Sequence, residues 1–288
     1  MKPQWINDHP RQILLIGGDG LIGKTLQRRW GAEKLLCTTR RLKTQSAGTA
    51  IWDLVKPMPN FSLKAGDVVV MAAALTSLEA CEKNPQLAHR VNVEAPAEVA
   101  GLCARKGARV IFLSSSSVFD GERAFPNETD APCPVTEYGR NKAEAERLIQ
   151  TSGAKFLILR ITKVLNPAGG YLAGLLRALS QGERVKASPD LPVAPLSLPW
   201  TLDVITRCLS FSENGIYHLS PRNETNFFNL AEKAALKHGL KRSLIQRQPL
   251  AELQQRLPQI PKHAALAAKQ SATKLGMSFP FWEKAVDS

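Results

Sequence analysis

Short, almost wholly apolar runs alternate with longer amphipathic stretches over the first 165 residues of the chain. Ile13-Leu-Leu-Ile16 stops at glycines and predicts a buried strand, after which Leu21 to Trp30 predicts a helix. Further strands are predicted at Leu35–Thr39, Thr49–Trp52, Asp67–Ala72, Arg109–Leu113 and Lys155–Ile161, with helices over Pro85–Lys106 and about Tyr138–Gln150. Continuous apolar strands separated by helices indicate parallel pairing through right-handed crossovers, because parallel neighbours need a long connection and the helices then cover both faces. The expected fold class is α/β, a doubly wound parallel sheet.

The texture changes after Asn166. Gly169-Gly170 precedes a helix from Tyr171 to Gln181, a proline-rich extended stretch runs from Pro189 to Pro199, and Gly215–Ser220 reads as one more strand. From Phe227 onward the pattern is helical with breaks at Pro249, Pro258 and Pro261. These shifts divide the chain into a main sheet domain, residues 1–165 plus about 200–220, and a smaller domain, about 166–199 plus 221–288.

Composition narrows the function classes without choosing one. The chain has 288 residues, 44% of them hydrophobic and 22% charged, which excludes disorder and collagen-like repeats. Its longest apolar run, Val68 to Leu75, is eight residues, far short of the roughly 20 that span a bilayer. Met1 to Gln12 lacks the continuous apolar stretch of a secretory signal, so a cytoplasmic location is expected. Five cysteines are scattered singly, which fits reduced thiols and supports neither a disulfide framework nor a metal site. The net charge of +13 is spread along the chain and mixed with acids. No basic run carries interleaved aromatics, so nucleic acid is not the expected partner.

The chemistry begins where the first strand runs into Gly17-Gly18-Asp19-Gly20-Leu21-Ile22-Gly23, a G-x-x-G-x-x-G spacing that opens a helix. Glycines there allow the tight turn and the approach of a pyrophosphate, and the helix N-terminus favours its negative charge. Dinucleotide binding is expected. NAD-preferring sites place an acid near the end of the second strand to hold the ribose 2′-hydroxyl, whereas a 2′-phosphate wants a cation. Here the chain has Thr38-Thr39-Arg40-Arg41: Arg40 can fork onto a phosphate, with Thr39 as a hydroxyl donor and Arg41 as a second charge. Asp53, after the third strand, is expected against the adenine amino group.

A second constellation is Tyr138-Gly-Arg-Asn-Lys142, 23 residues beyond Ser115. Residues four apart share a helix face, so Lys142 can lie beside the phenol of Tyr138 and lower its pKa towards the working pH. Tyr138 could then exchange a proton with a substrate oxygen to which Ser115, just past a strand's C-terminal end, donates a hydrogen bond. Ligands of open α/β folds bind at that sheet edge.

With these motifs in this order, the chain resembles the extended short-chain dehydrogenase/reductase superfamily and, within it, the dTDP-4-dehydrorhamnose reductase-like branch. The matching segments are Gly17–Gly23, Met71-Ala-Ala-Ala74, Arg90-Val-Asn-Val-Glu94, Ser114–Gly121, Asn127–Pro132 and Tyr138–Lys142, with a looser likeness at Leu159-Arg160, Lys274-Leu-Gly276 and Trp282. The resemblance implies a Rossmann fold, NADP(H) as cofactor, and reduction of a keto-sugar carried on a nucleotide. It implies Ser115, Tyr138 and Lys142 as the catalytic triad, Lys142 also binding the nicotinamide ribose. The cofactor set is Gly17, Gly20, Leu21, Ile22, Gly23, Thr39, Arg40, Arg41, Asp53, Leu54, Ala72, Ala73, Ala74 and Lys142; the substrate candidates are Thr76, Ser77, Phe119, Lys163 and Trp200.

The chain departs from the branch at Ser116 and Ser117, where a carboxylate and an aromatic ring are usual, at Met71 in place of Asn, and at Lys163 in place of an aromatic. These are positions where sugar specificity is expected. Two alternatives stay open: a non-catalytic NADP-binding subunit resembling the regulatory β subunit of methionine adenosyltransferase, and an NAD(P)-dependent sugar epimerase or dehydratase. A homodimer is allowed and a membrane partner is not expected.

Overall fold

The computed structural model describes residues 12–31, 35–40, 48–254 and 260–287. Close packing divides the chain into two compact units: unit 1 holds residues 1–118, 136–160 and 204–217, and unit 2 holds residues 119–135, 161–203 and 218–288.

Unit 1 is built on a seven-stranded parallel sheet with helices against it. Its strands are β1 (Ile13–Ile16), β2 (Leu35–Thr39), β3 (Thr49–Ile51), β4 (Val68–Met71), β5 (Arg109–Ser115), β6 (Lys155–Ile161) and β7 (Gly215–Leu219), the last two ending at the boundary with unit 2. The spatial order is β7-β6-β5-β4-β1-β2-β3. Strand order therefore reverses at β1, which pairs with β2 on one side and β4 on the other. The register Ile16 to Met71 and Met71 to Phe112 brings the C-terminal ends of β1, β4 and β5 to one edge. Such a switch point leaves a crevice outside the strand ends.

The strands are continuous apolar runs because both faces are covered: all four residues of β1 and of β4 are buried. Leu14, Ile16, Val69, Met71, Val110 and Phe112 form the core with Val99 and Leu102 of the helix Ala95–Lys106 and Ala145 and Ile149 of the helix Glu137–Thr151. Trp52 and Phe61 close the core beyond β3, edge to face with ring centroids 5.7 Å apart.

Five helices of unit 1 matter for the site: α1 (Leu21–Trp30), α2 (Leu78–Lys83), α3 (Pro85–His89), α4 (Ala95–Lys106) and α5 (Glu137–Thr151). The single helix expected over Pro85–Lys106 is interrupted by a π-helical turn at Arg90–Glu94. Pro96 has no amide to give the carbonyl of Asn92, and the amide of Ala95 reaches back instead to the carbonyl of Arg90. Helix α2, which the sequence pattern does not announce, starts on Ser77, whose hydroxyl accepts from the Ala80 amide at 3.2 Å.

Unit 2 has its own core of Leu165, Leu172, Leu175, Leu179, Leu230, Ala234, Trp282 and Val286. Helices Gly170–Ser180 and Phe227–Lys237 pack around three two-stranded pairings: Lys163–Leu165 with Pro195–Ser197, Val185–Ala187 with Ile245–Arg247, and Pro192–Val193 with Thr225–Asn226. Part of the Pro189–Pro199 stretch thus forms strand pairs, and Leu198 then opens a helix to Cys208. Residues 119–135, placed by the sequence pattern within the first domain, group with unit 2. Among the described residues, no helix is long and apolar enough to cross a membrane and no His, Cys, Asp and Glu cluster could hold a metal ion.

Candidate active site

The glycine loop leaves β1 through Gly17, whose φ of 100° suits only glycine; a Cβ there would come within 2.6 Å of the Ala73 backbone nitrogen. Gly23 lies one turn into α1, where a Cβ would meet the Gly17 carbonyl oxygen at 2.1 Å. The helix can therefore begin directly under the turn. Gly20 caps α1 with no side-chain hydrogen bond, and the first turn carries no acid, with Leu21 exposed and Ile22 half-buried. A helix end with amides turned outward and no competing carboxylate in its first turn fits a pyrophosphate. Ala72, Ala73 and Ala74 follow β4 at the same edge, all half-buried.

The loop is tied to the end of β2. Gly17 donates its amide to the Thr38 hydroxyl at 3.1 Å and Gly18 to the Thr38 carbonyl at 2.9 Å. The Asp19 carboxylate accepts the Thr39 hydroxyl at 2.8 Å and the Arg40 amide at 2.9 Å. Arg40 is exposed, and Arg41 lies outside the described residues. Asp53 is half-buried and turns its carboxylate onto the Val55 amide at 3.4 Å, while Leu54 is buried in the core.

Three successive residues of β5 face one side of α5. The Lys142 ammonium donates to the Leu113 carbonyl at 2.8 Å and the Ser114 hydroxyl donates to the Glu146 carboxylate at 2.5 Å, while the Ser115 hydroxyl faces Tyr138 closely enough to favour its ionised form. Tyr138, Lys142 and Glu146 recur every four residues, so one helical face carries all three contacts. Ser115 is further fixed by the short helical turn Ser116–Val118, accepting the Ser117 amide and donating to the Ser117 hydroxyl, each at 3.1 Å. Behind this row, Arg160 of β6 pairs with Glu146 at 2.7 Å, both side chains almost wholly buried.

The electrostatics differ from the sequence expectation. Burial pushes the Tyr138 hydroxyl up to about 12, against the lowering effect of the Ser115 hydroxyl. The same burial pushes Lys142 down to about 8, opposed by the negative charge of Glu146. A depressed tyrosine is thus not what the structure holds. The ammonium lies 4.3 Å from the centre of the Phe112 ring and 5.9 Å from that of Tyr138, and desolvation outweighs what it offers the phenolate.

Four residues of this arrangement have no role in the sequence reading: Glu146, and Asp19, Asn92 and Arg160, which lie within its matching segments. Asn92 sits in the π-helical turn and clasps Leu75 beyond β4, accepting its amide at 2.8 Å and donating to its carbonyl at 3.0 Å. The spacing of Glu146, one turn beyond Lys142, is a signal that a helical-face argument can find.

The substrate candidates divide. Thr76 is exposed in unit 1 beside Ser77, which is occupied as the α2 cap. Phe119, Lys163 and Trp200 belong to unit 2. Phe119 is buried edge-on to His218, Trp200 packs edge-on to Phe279 at 4.8 Å, and Lys163 is exposed.

Residues 11–288 match the family model of the RmlD substrate binding domain. The probable low-salt glycan biosynthesis reductase Agl14 of Haloferax volcanii is 28% identical over 224 residues, 75% of this chain and 74% of that protein. A dTDP-4-dehydrorhamnose reductase of Burkholderia thailandensis is 31% identical over 177 residues, 58% of this chain and 59% of that one, so the chain spans about three-fifths of its length. In fold, the chain is similar to the crystal structure of dTDP-4-dehydrorhamnose reductase from Bacillus anthracis in complex with NADP. That match has a TM-score of 0.80 at 19% identity and covers 96% of this chain and 97% of the other.

Proposed function

The chain belongs to the RmlD substrate-binding-domain family, and from that premise we propose that it is an NADPH-dependent reductase of a nucleotide-linked keto-sugar. One observation carries the reading: Ser115, Tyr138 and Lys142 meet between the end of β5 and one face of α5, at the sheet edge where the glycine loop opens. Two strand spacings, about 10 Å, separate β1 from β5, so a dinucleotide lying across that edge passes from the loop towards the triad.

A bound nicotinamide supplies the hydride that reduces the carbonyl carbon. The chain's own residues handle the oxygen. Ser115, whose hydroxyl proton is given to the Ser117 hydroxyl in the unliganded chain, turns that proton to the substrate oxygen and fixes its position, the Ser117 hydroxyl then donating back to Ser115. With its pKa at about 12, Tyr138 is fully protonated at neutral pH and is the proton donor as charge builds on that oxygen. Lys142, at about 8, is roughly nine-tenths ammonium at pH 7 and stabilises the phenolate that the transfer leaves. An ammonium has three donors; Leu113 takes one, and another serves the nicotinamide ribose. Arg40 takes the 2′-phosphate, whereas the Thr39 hydroxyl, expected as a second donor, is given to Asp19. Exposed Thr76 and Lys163 are the candidates for contact with the sugar or its nucleotide, whereas Ser77, Phe119 and Trp200 are engaged in capping and packing.

Tyr138→Phe tests the reading. Oxidation of NADPH in the presence of dTDP-4-dehydrorhamnose, followed by absorbance, should fall at least a hundredfold, while NADPH affinity measured by fluorescence titration stays within threefold of wild type. Turnover at the wild-type rate would remove Tyr138 as proton donor. A wild-type chain that binds NADPH and reduces no nucleotide keto-sugar would shift the reading to the non-catalytic subunit.

A further inference from the structure

Asp19 occupies the second variable position of the glycine loop, and its carboxylate is turned towards β2 rather than solvent alone. It accepts the Thr39 hydroxyl with both oxygens at 2.8 Å and the Arg40 amide at 2.9 Å. Thr39 is buried, Asp19 is half-buried and the Arg40 side chain is exposed. The negative charge of Asp19 is felt across the loop: it adds to burial in pushing the neighbouring Cys37 thiol up to about 11.

These contacts sit where Rossmann sites read the adenosine ribose, at the end of the second strand. Two donors that could serve a 2′-phosphate there, a hydroxyl and a backbone amide, are already given to an anion. A carboxylate in that place accepts a hydrogen bond from a ribose 2′-hydroxyl and repels a 2′-phosphate, whereas the Arg40 guanidinium has the opposite preference. The acid that NAD sites carry on β2 is thus supplied by the glycine loop, and it reaches the same strand end while a cation occupies the usual position.

We propose that Asp19 is a specificity-determining residue of the cofactor site, which takes the 2′-hydroxyl of NADH and holds down the preference for NADPH that Arg40 confers. The inference rests on the reading of the glycine loop as the nicotinamide-cofactor site.

The test is a fluorescence titration of the full chain with NADPH and with NADH, on wild type, Asp19→Asn, Asp19→Ser and Arg40→Ala. Asn keeps an oxygen that can accept from Thr39 and Arg40, so Asp19→Asn removes the charge with the loop still closed; thermal melting confirms the fold of each variant. In Asp19→Asn, NADPH binding should tighten and NADH binding weaken, raising the NADPH preference at least tenfold, or about 1.4 kcal/mol. Asp19→Ser should shift the preference in the same direction, and Arg40→Ala in the opposite one. A preference within twofold of wild type in both Asp19 variants, with both cofactors still bound, would overturn the proposal and leave Asp19 a loop-closing residue. Wild-type protein that binds neither cofactor would overturn the cofactor-site reading as well, so the two failures are distinct.

Discussion

Lys142 stands between two opposing influences, and the balance sets a pH limit on the chemistry. Burial favours its neutral form and holds it at about 8, while the carboxylate of Glu146 favours the ammonium. The proposed role needs the charge, so the rate of the reductive step should fall as pH rises through about 8. Removing the charge of Glu146 removes the influence that favours the ammonium, and the Lys142 pKa should drop further. The alkaline limb of the kcat profile should therefore move to lower pH in Glu146→Gln, a shift that a merely structural role for Glu146 would not produce. Glutamine is chosen over alanine because its side-chain oxygen can still accept from Arg160, which is buried against the same carboxylate. Either substitution removes the charge that faces Arg160 and costs about 3–5 kcal/mol, so the profile is read on protein shown to be folded by thermal melting. At this scale the sequence reveals residue types and spacing but not environment. The four-residue spacing of Tyr138 and Lys142 leads to the correct shared face, yet the direction of the tyrosine shift depends on burial that a motif does not encode.

Helix α5 delivers the triad because its first turn is fixed. Thr136 is its N-cap, accepting the Gly139 amide at 3.1 Å, and the Glu137 amide donates to Glu82 of α2 at 2.8 Å. Tyr138 lies inside that turn. Thr136→Ala should destabilise the chain by about 1 kcal/mol in urea denaturation, with kcat reduced more than cofactor affinity, since the capped turn holds Tyr138 and not the glycine loop. Equal losses in both quantities would show that the cap supports stability alone. The main helices and strands of the first half are readable in the sequence because their apolar periods are clean and glycines punctuate them. The π-helical turn at Arg90–Glu94 is not, since it arises from Pro96 and from the clasp of Asn92 on Leu75, a contact 17 residues away in the chain. Helix α2 is too short to establish a period and begins on a cap, Ser77, that also reads as a pocket residue.

For the whole molecule, alternating strands and helices foretell the doubly wound sheet because crossover handedness leaves few arrangements open, and the switch point at β1 places the glycine loop at the ligand-binding edge. Unit 2 is less readable. Its strands are two or three residues long and pair across wide separations, as Val185–Ala187 does with Ile245–Arg247, so no local period marks them. Residues 119–135 belong to it although they follow directly on the candidate serine turn. This division has a measurable consequence if the glycine loop holds a nicotinamide cofactor, because every described candidate for its phosphates and ribose lies in unit 1. Cofactor at a hundred times its Kd adds about 2.7 kcal/mol to whatever unfolds with that unit. If unit 1, of about 160 residues, melts by itself, its transition should rise by roughly 8 °C and the other should stay in place; if the chain melts as one body, the rise should be roughly 4–5 °C. Differential scanning calorimetry with NADPH and then NADH reads both quantities. A cofactor that raises only the transition of unit 2, or neither transition at that concentration, would contradict the assignment of the glycine loop.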